Sequence, residues 1–387
     1  MRALIHVHHL LGTGHAVRAA AIGRALATAG VAVTLVTGNT LPPTLDVDGL
    51  AVEPLPPARA ADTAFSALVE PDGRPVDEAW RAARSERLLA VLADVRPDIL
   101  VTETFPFGRR ALAAELLALA ETARTRPVVV AASIRDILVG KDDPAKERWM
   151  AATARRLYDL VLVHSDPGLV RLEASFPFAA EVADLVRYTG YVHEPRPDEP
   201  PPGVGVGEVV VSCGGGPVGR RLLEAALGAR RLSRRAGEAR WRLLVGHGHA
   251  AESLAGLAAA AGDGVVVEPS RPDFPRLLAR ARLSVSQAGY NTVLDVLAAG
   301  CPAVMVPFAE GKETEQSARA AILAAGGHAV VLAEAAVDPA RLAAACDAAI
   351  DQGARPIEVA VEGAAASAAI LVAEAERRVW RRGGRRG

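Results

Sequence analysis

Leu283 to Ala320 reads L-S-V-S-Q-A-G-Y-N-T-V-L-D-V-L-A-A-G-C-P-A-V-M-V-P-F-A-E-G-K-E-T-E-Q-S-A-R-A. Leu283 to Ser286 is short and apolar enough for a buried strand. Gln287-Ala288-Gly289 then turns the chain, and Asn291 to Ala299 has helical spacing through Val293, Leu294 and Leu297. Gly300 ends that helix, Pro302 prevents its continuation, and Ala303 to Val306 predicts a second buried strand. The stretch is a strand-turn-helix-strand unit with a polar turn.

Polar groups at that turn have a chemical use. A helix that follows a parallel strand begins with unpaired backbone N–H groups and a positive dipole end, which suits phosphate. Gly289 would let the backbone approach such a ligand closely. Asn291 and Asp295, four apart, share one helix face with Thr292 beside them. A carboxylate one turn into the helix only accepts hydrogen bonds, so it suits a pair of sugar hydroxyls better than a phosphate. Glu315-Gln316 opens another helix at the same sheet edge. Singly, these residues read as helix caps and a solvated first turn. As a set, with Gln287, they point to a nucleotide site, because ligands of open α/β sheets lie outside the strand carboxyl ends.

The stretch resembles the donor-nucleotide half of the GT-B glycosyltransferases, in their MurG-like, family 28-like branch. The resemblance implies that Gly289 belongs to the turn leading into the donor helix and that Asp295 holds the ribose hydroxyls. It implies a sugar and nucleotide contact from the P-F-…-Q-Q-x-x-N-A pattern, here Pro307-Phe308 and Glu315-Gln316-Ser317-Ala318-Arg319-Ala320. Glutamate stands where the first glutamine would be. The implied fold is α/β, with two Rossmann-like domains facing a cleft and a last helix crossing back to the first domain.

Upstream, Glu208 to Ser212 predicts a strand that runs into Cys213-Gly214-Gly215-Gly216-Pro217-Val218-Gly219 and a helix from Arg220. A glycine loop before a helix again suits phosphate. In the resembling enzymes a loop here lies beside the donor diphosphate. Cys213 reads as a small buried strand-end residue rather than a nucleophile. His193 to Gly207, dense in proline and glycine, reads as a linker. The expected domains are 1–192, which would take the acceptor, and 208–356, which would take the donor. Residues 357–387 complete the chain as an alanine-rich helix over Ile357 to Arg382 and a basic tail around Trp380.

The first half, which includes a helix over Arg109 to Arg124, alternates strands and helices in the same way, from a strand over Leu4 to His8 and a helix over Ala16 to Ala29. Between them, His9-Leu10-Leu11-Gly12-Thr13-Gly14-His15 carries G-x-G, but Val17 stands where a third glycine would complete a dinucleotide fingerprint. Gly12, Thr13 and Gly14 read as an acceptor loop that presents His15 at a strand's carboxyl end. Glu103 and Asp136 end two further strands, beside Thr102-Glu103-Thr104 and Ser133-Ile134-Arg135-Asp136. These are three candidates for a catalytic base, although His15 could only brace a helix start and the carboxylates could be ion-paired structurally. His6 and His8 fall on one strand face and His9 on the other, with no carboxylate at ligand spacing, so no metal site is expected. H-L-L-G-T-G-H-x-x-R, T-E-x-F-P-F-G-R-R and S-I-R-D-I-L resemble bacterial predicted glycosyltransferases of the same branch, and that likeness extends over nearly the whole chain.

The 387 residues suffice for two domains, and 44 Lys+Arg against 45 Asp+Glu leave a net charge of -1, which predicts no nucleic-acid partner. Three scattered cysteines suit a reducing cytoplasm. Neither a signal peptide nor a membrane span is expected. The arginines around Trp380 allow a weak membrane-surface contact, so the location reads as cytoplasmic, peripheral at the membrane only through that tail. The expectation is an inverting, metal-independent glycosyltransferase without a cofactor, moving a sugar from a UDP-linked donor to a small-molecule or lipid-linked acceptor. A non-hydrolysing sugar-nucleotide 2-epimerase and an inactive nucleotide-sugar-binding protein are the alternatives.

Overall fold

The apolar runs become neighbouring strands of two parallel sheets. The computed structural model describes residues 1–10, 14–42, 45–61, 67–140, 143–193, 199–214, 218–246, 249, 251–309, 314–355 and 357–383. The chain divides into one unit of Met1–His193 with Ala360–Gly387, and a second of Glu194–Val359.

The first unit contains β1 (Arg2–Val7), α1 (Gly14–Thr28), β2 (Ala32–Thr37), β3 (Leu50–Pro54), a short antiparallel pair β4 (Arg59–Ala60) and β5 (Leu68–Val69), and α2 (Glu78–Val95). It continues through β6 (Ile99–Glu103), α3 (Ala113–Arg124), β7 (Val129–Arg135), α4 (Pro144–Leu157), β8 (Leu160–His164) and β9 (Val186–Tyr188). Its seven-stranded sheet has the order β3-β2-β1-β6-β7-β8-β9, and every pairing is parallel. Both faces are covered, as a parallel sheet requires. Ala3, Ile5, Val101, Ala131 and Leu162 pack with Ile22 and Leu26 of α1, while Leu4, Leu100, Val130 and Val161 pack with Leu88 of α2 and Leu116 of α3.

The second unit contains β10 (Val209–Ser212), α5 (Arg220–Leu232), β11 (Trp241–Val245), α6 (Ala251–Ala260), β12 (Val265–Pro269), α7 (Phe274–Leu278) and β13 (Leu283–Ser286). It ends with α8 (Tyr290–Ala299), β14 (Ala303–Met305), α9 (Glu315–Ala325), β15 (Val330–Val331) and α10 (Pro339–Gln352). Its parallel order is β12-β11-β10-β13-β14-β15. The last helix, α11 (Gly363–Gly383), belongs to the first unit, where Ala368, Leu371 and Ala375 join the core of the α1 face. Among the described residues, no helix is long and apolar enough to cross a membrane.

Three details differ from the sequence reading. Residues 357–362 are not helical: Tyr191 N donates to Ala360 O, Glu362 bridges Val192, and α11 starts only at Gly363. A Cβ on Gly363 would lie 2.4 Å from Gly190 O, so the glycine allows this close crossing. The helix read over Arg109 to Arg124 is divided, because Arg109 has a left-handed backbone (φ 59°) and a 3-10 turn, Arg110–Leu112, precedes α3. Residues 199–207, read as linker, lie on the second unit, where Gly207 N donates to Arg280 O and Glu199 pairs with Arg280 at 2.8 Å.

In both sheets the chain order reverses beside the first strand of the unit, between β1 and β6 and between β10 and β13. Open α/β sheets bind ligands outside the strand carboxyl ends at such a reversal. At those edges stand His15 in the first turn of α1 and Glu103 at the end of β6 in the first unit, and Gly214 and Gln287 just past β10 and β13 in the second.

Candidate functional site

In the first unit, parallel pairing of β1 with β6 (His6 opposite Thr102) brings the start of α1 over the end of β6. His15 stands in the first turn of α1 with its side chain 19% exposed, and Glu103 ends β6 at 1%. His15 Nδ1 lies 2.8 Å from Glu103 Oε1. Arg18, one turn further on, donates to the same carboxylate oxygen, and Thr104 Oγ1 lies 3.2 Å from the same ring nitrogen. The other carboxylate oxygen accepts from Ser133 Oγ at 2.5 Å. Gly14 begins α1; Gly12 and Thr13 lie outside the described residues.

Charge fixes the protons. A carboxylate only accepts, so the single hydrogen of a neutral His15 ring belongs on Nδ1 and Nε2 keeps its lone pair. Burial, then the Arg109 guanidinium, pushes His15 down to about 3, which the Glu103 carboxylate offsets only in part. The ring is therefore neutral near pH 7. Burial alone would raise Glu103, but the Arg18 and His15 contacts outweigh it and hold the carboxylate below its usual range. Arg109 donates to His8 O at 2.7 Å and, though burial pushes it down to about 10, stays a cation. A neutral base, an oriented carboxylate and guanidinium charge therefore meet at one strand edge.

Asp136, the third candidate, is fully buried just past β7, and the polar neighbours of the His15 ring are Glu103, Arg18 and Thr104. Of the early histidines, His8 faces the other way. His8 contacts Arg84 Nη2 at 2.9 Å and Ala58 O at 3.1 Å, within a buried set that includes the Arg84–Glu115 ion pair. Sequence reading missed Arg18's bond to Glu103, and it missed His164, which ends β8 fully buried. The signal was there in outline: β6, β7 and β8 each turn from apolar to polar at their last residues.

In the second unit the glycine loop begins at Gly214 (φ 73°), whose N–H donates to Ser212 Oγ at 3.2 Å. Gly215 and Gly216 lie outside the described residues. Gly219 (φ 84°) precedes α5, and a Cβ there would lie 2.4 Å from Cys213 Sγ and 3.0 Å from Gln287 Nε2. Cys213 is 2% exposed, and burial pushes its thiol up to about 12, as suits a packed strand-end residue. Gln287, 5% exposed past β13, has an amide nitrogen with no hydrogen-bond partner among the described residues. Such a buried donor calls for an acceptor.

Gly289 precedes α8 with an ordinary backbone (φ -64°), and among the described residues the nearest atom to its missing Cβ is Thr292 Oγ1 at 3.9 Å. Its contribution is therefore open space over the first turn. Asn291 is exposed there, with Thr292 and Asp295 half-buried. Glu315 is 3% exposed and lies 3.8 Å from Arg319, whose Nη1 donates to Ala288 O at 2.7 Å. Gln316 Oε1 accepts from Phe308 N at 3.1 Å. Both residues thus brace the turns around α8, and Arg319 stands where the resembling pattern has asparagine.

Residues 209–373 match the glycosyltransferase family 28 C-terminal domain. The match runs from β10 into the first half of α11. A UDP-N-acetylglucosamine--N-acetylmuramyl-(pentapeptide) pyrophosphoryl-undecaprenol N-acetylglucosamine transferase of Rhizobium johnstonii is 37% identical over 93 residues. The match spans only 24% of this chain and 25% of that enzyme. Acinetobacter baumannii MurG superposes with a TM-score of 0.59 at 16% identity, covering 95% of each chain. SsfS6, a glycosyltransferase of Streptomyces sp. SF2575 solved with thymidine diphosphate, superposes with a TM-score of 0.58 at 18% identity over 97% of this chain and 96% of its own. Over nearly its full length the chain shares the α/β fold of these GT-B glycosyltransferases.

Proposed function

We propose that the chain is an inverting glycosyltransferase that moves a sugar from a UDP-linked donor to a small-molecule or lipid-linked hydroxyl acceptor, without a divalent metal. The observation that carries this reading is the pairing of His15 Nδ1 with Glu103 at 2.8 Å, which leaves Nε2 to accept a proton. In the proposed reaction Nε2 takes the acceptor's hydroxyl proton. The oxygen attacks the anomeric carbon from the face opposite the leaving group, and the bond from that carbon to the diphosphate breaks. Glu103 stabilises the imidazolium that forms.

The second unit would hold the donor. Backbone N–H groups of the Gly214 to Gly216 loop, the start of α8 and the Gln287 amide are suited to the departing diphosphate, and Asp295 to the ribose hydroxyls. Charge met in this way needs no metal. The family 28 match over residues 209–373 and the thymidine diphosphate bound to SsfS6 support a nucleotide-diphosphate donor. The relative from Rhizobium johnstonii, named for an undecaprenol-linked acceptor, supports a lipid-linked one. The exposed Trp380 (78%), beside Arg377 and Arg378, would then rest at a membrane surface.

A thermal-shift screen of UDP-, dTDP- and GDP-linked sugars tests the reading, because a ligand that binds only the folded state raises its melting temperature. A UDP-sugar should stabilise the protein most and stay unchanged when incubated with it alone. No stabilisation by any nucleotide sugar, or its conversion to a 2-epimer, would contradict the proposal.

A further inference from the structure

Glu103 does not end the polar contacts of the first unit. On the sheet face covered by α1 and α11, Ile99 and Val101 of β6, Val129 and Ala131 of β7, and Leu160 and Leu162 of β8 are apolar core. At the next outward position on that face the three strands carry Glu103, Ser133 and His164, exposed by 1%, 1% and 0%. These side chains bond in series. Ser133 Oγ lies 2.5 Å from Glu103 Oε2 and 2.9 Å from His164 Nε2, and His164 Nδ1 lies 2.8 Å from Thr189 Oγ1. Buried polar groups in neighbouring strands are costly to keep unless bonded, and a plain core would use apolar residues here.

Counting hydrogens gives the series a direction. Glu103 is ionised and only accepts, so the one Ser133 hydrogen goes to Oε2. Ser133 Oγ must then accept from His164, which places that ring's hydrogen on Nε2. Burial keeps His164 neutral, pushing it down to about 3. Its bare Nδ1 therefore accepts from Thr189, whose hydrogen goes there rather than to Gly190 O, also at 2.8 Å. With Oε2 held by Ser133, the remaining carboxylate oxygen is turned toward Arg18 and His15.

We infer that Ser133 and His164, anchored by Thr189, are positioning residues that fix the Glu103 carboxylate and through it the ring tautomer of His15. This rests on the reading of His15 as base, since only then does the tautomer matter for turnover. The role is indirect: neither residue touches the His15 ring.

Long-range ¹H–¹⁵N spectra of the full chain, labelled with ¹⁵N in histidine, test this without substrate, because they report which ring nitrogen carries hydrogen. At pH 7 the wild-type protein should show His15 as the single Nδ1–H form and His164 as the Nε2–H form. Ser133→Ala should turn the single His15 form into a mixture, and Ser133→Thr, which keeps the hydroxyl, should restore it. His164→Gln, which keeps a donor, should resemble wild type, whereas His164→Leu should resemble Ser133→Ala; this pair gives the same reading if Ser133→Ala does not fold. A wild-type His15 signal in both Ser133→Ala and His164→Leu overturns the inference. Failure of the base reading looks different, because His15→Ala would keep turnover while these spectra stayed as expected.

Discussion

His15 Nδ1 and Glu103 Oε1 are 2.8 Å apart, although 88 residues separate them in the chain. The pair exists because β6 enters the sheet beside β1 rather than beside β5 or α2, its neighbours in sequence. A backward step in strand order thus sets a carboxylate behind a helix-start imidazole.

Removing either partner should stop the chemistry and spare donor binding. His15→Ala should lower turnover by roughly 10²–10⁴. Glu103→Gln should do nearly as much, since an amide can donate to Nδ1 and so favour the wrong tautomer. Steady-state rates with a donor dissociation constant measured alongside check both. Turnover kept in His15→Ala but lost in Asp136→Asn would move the base to Asp136.

Acid should unfold the protein through its buried histidines. His6, His15 and His164 are each pushed down to about 3, and His8 well below 6.5, with burial the first cause in each. The unfolded chain therefore takes up protons below about pH 6.5 that the folded chain refuses, and stability falls as pH falls toward 3. Each ring contributes a loss of about 1.4 kcal/mol per pH unit across that window. Glu115, raised by burial, works the other way. Urea midpoints measured from pH 7 to 4.5 should drop steeply below about 6.5. A flat profile would mean that these rings are not held neutral.

Turnover should survive EDTA. If backbone N–H groups and helix ends carry the leaving diphosphate, a chelator has nothing to remove. Activity lost in EDTA and restored by magnesium or manganese would show that a metal carries that charge.

Much of this was legible in the chain itself. Leu283 to Ser286 forms a strand with the bounds read from its apolar run, and Gly300 ends α8 in a left-handed turn (φ 60°). Those features depend on local sequence, where spacing and glycine chemistry decide the outcome. The crossing at Ala360 to Gly363 was not legible, because it depends on Gly190 and Tyr191, which are distant in sequence. His164 escaped notice for the same reason, since strand pairing alone brings it to Ser133. Arg319, which pairs with Glu315 four residues before it and holds the Ala288 carbonyl, was also not legible, since Ala288 lies on another turn.

The central claim is that the second unit binds a nucleotide-diphosphate sugar, with Asp295 on the ribose. Isothermal titration of a UDP-sugar into wild type and Asp295→Asn measures this directly, because the substitution keeps the helix and removes only a charge. Loss of a charged hydrogen-bond pair costs about 1.5–3 kcal/mol, so the account predicts binding weakened roughly ten- to a hundredfold in a protein of unchanged fold. Equal dissociation constants for the two proteins, or no binding to either, would contradict it.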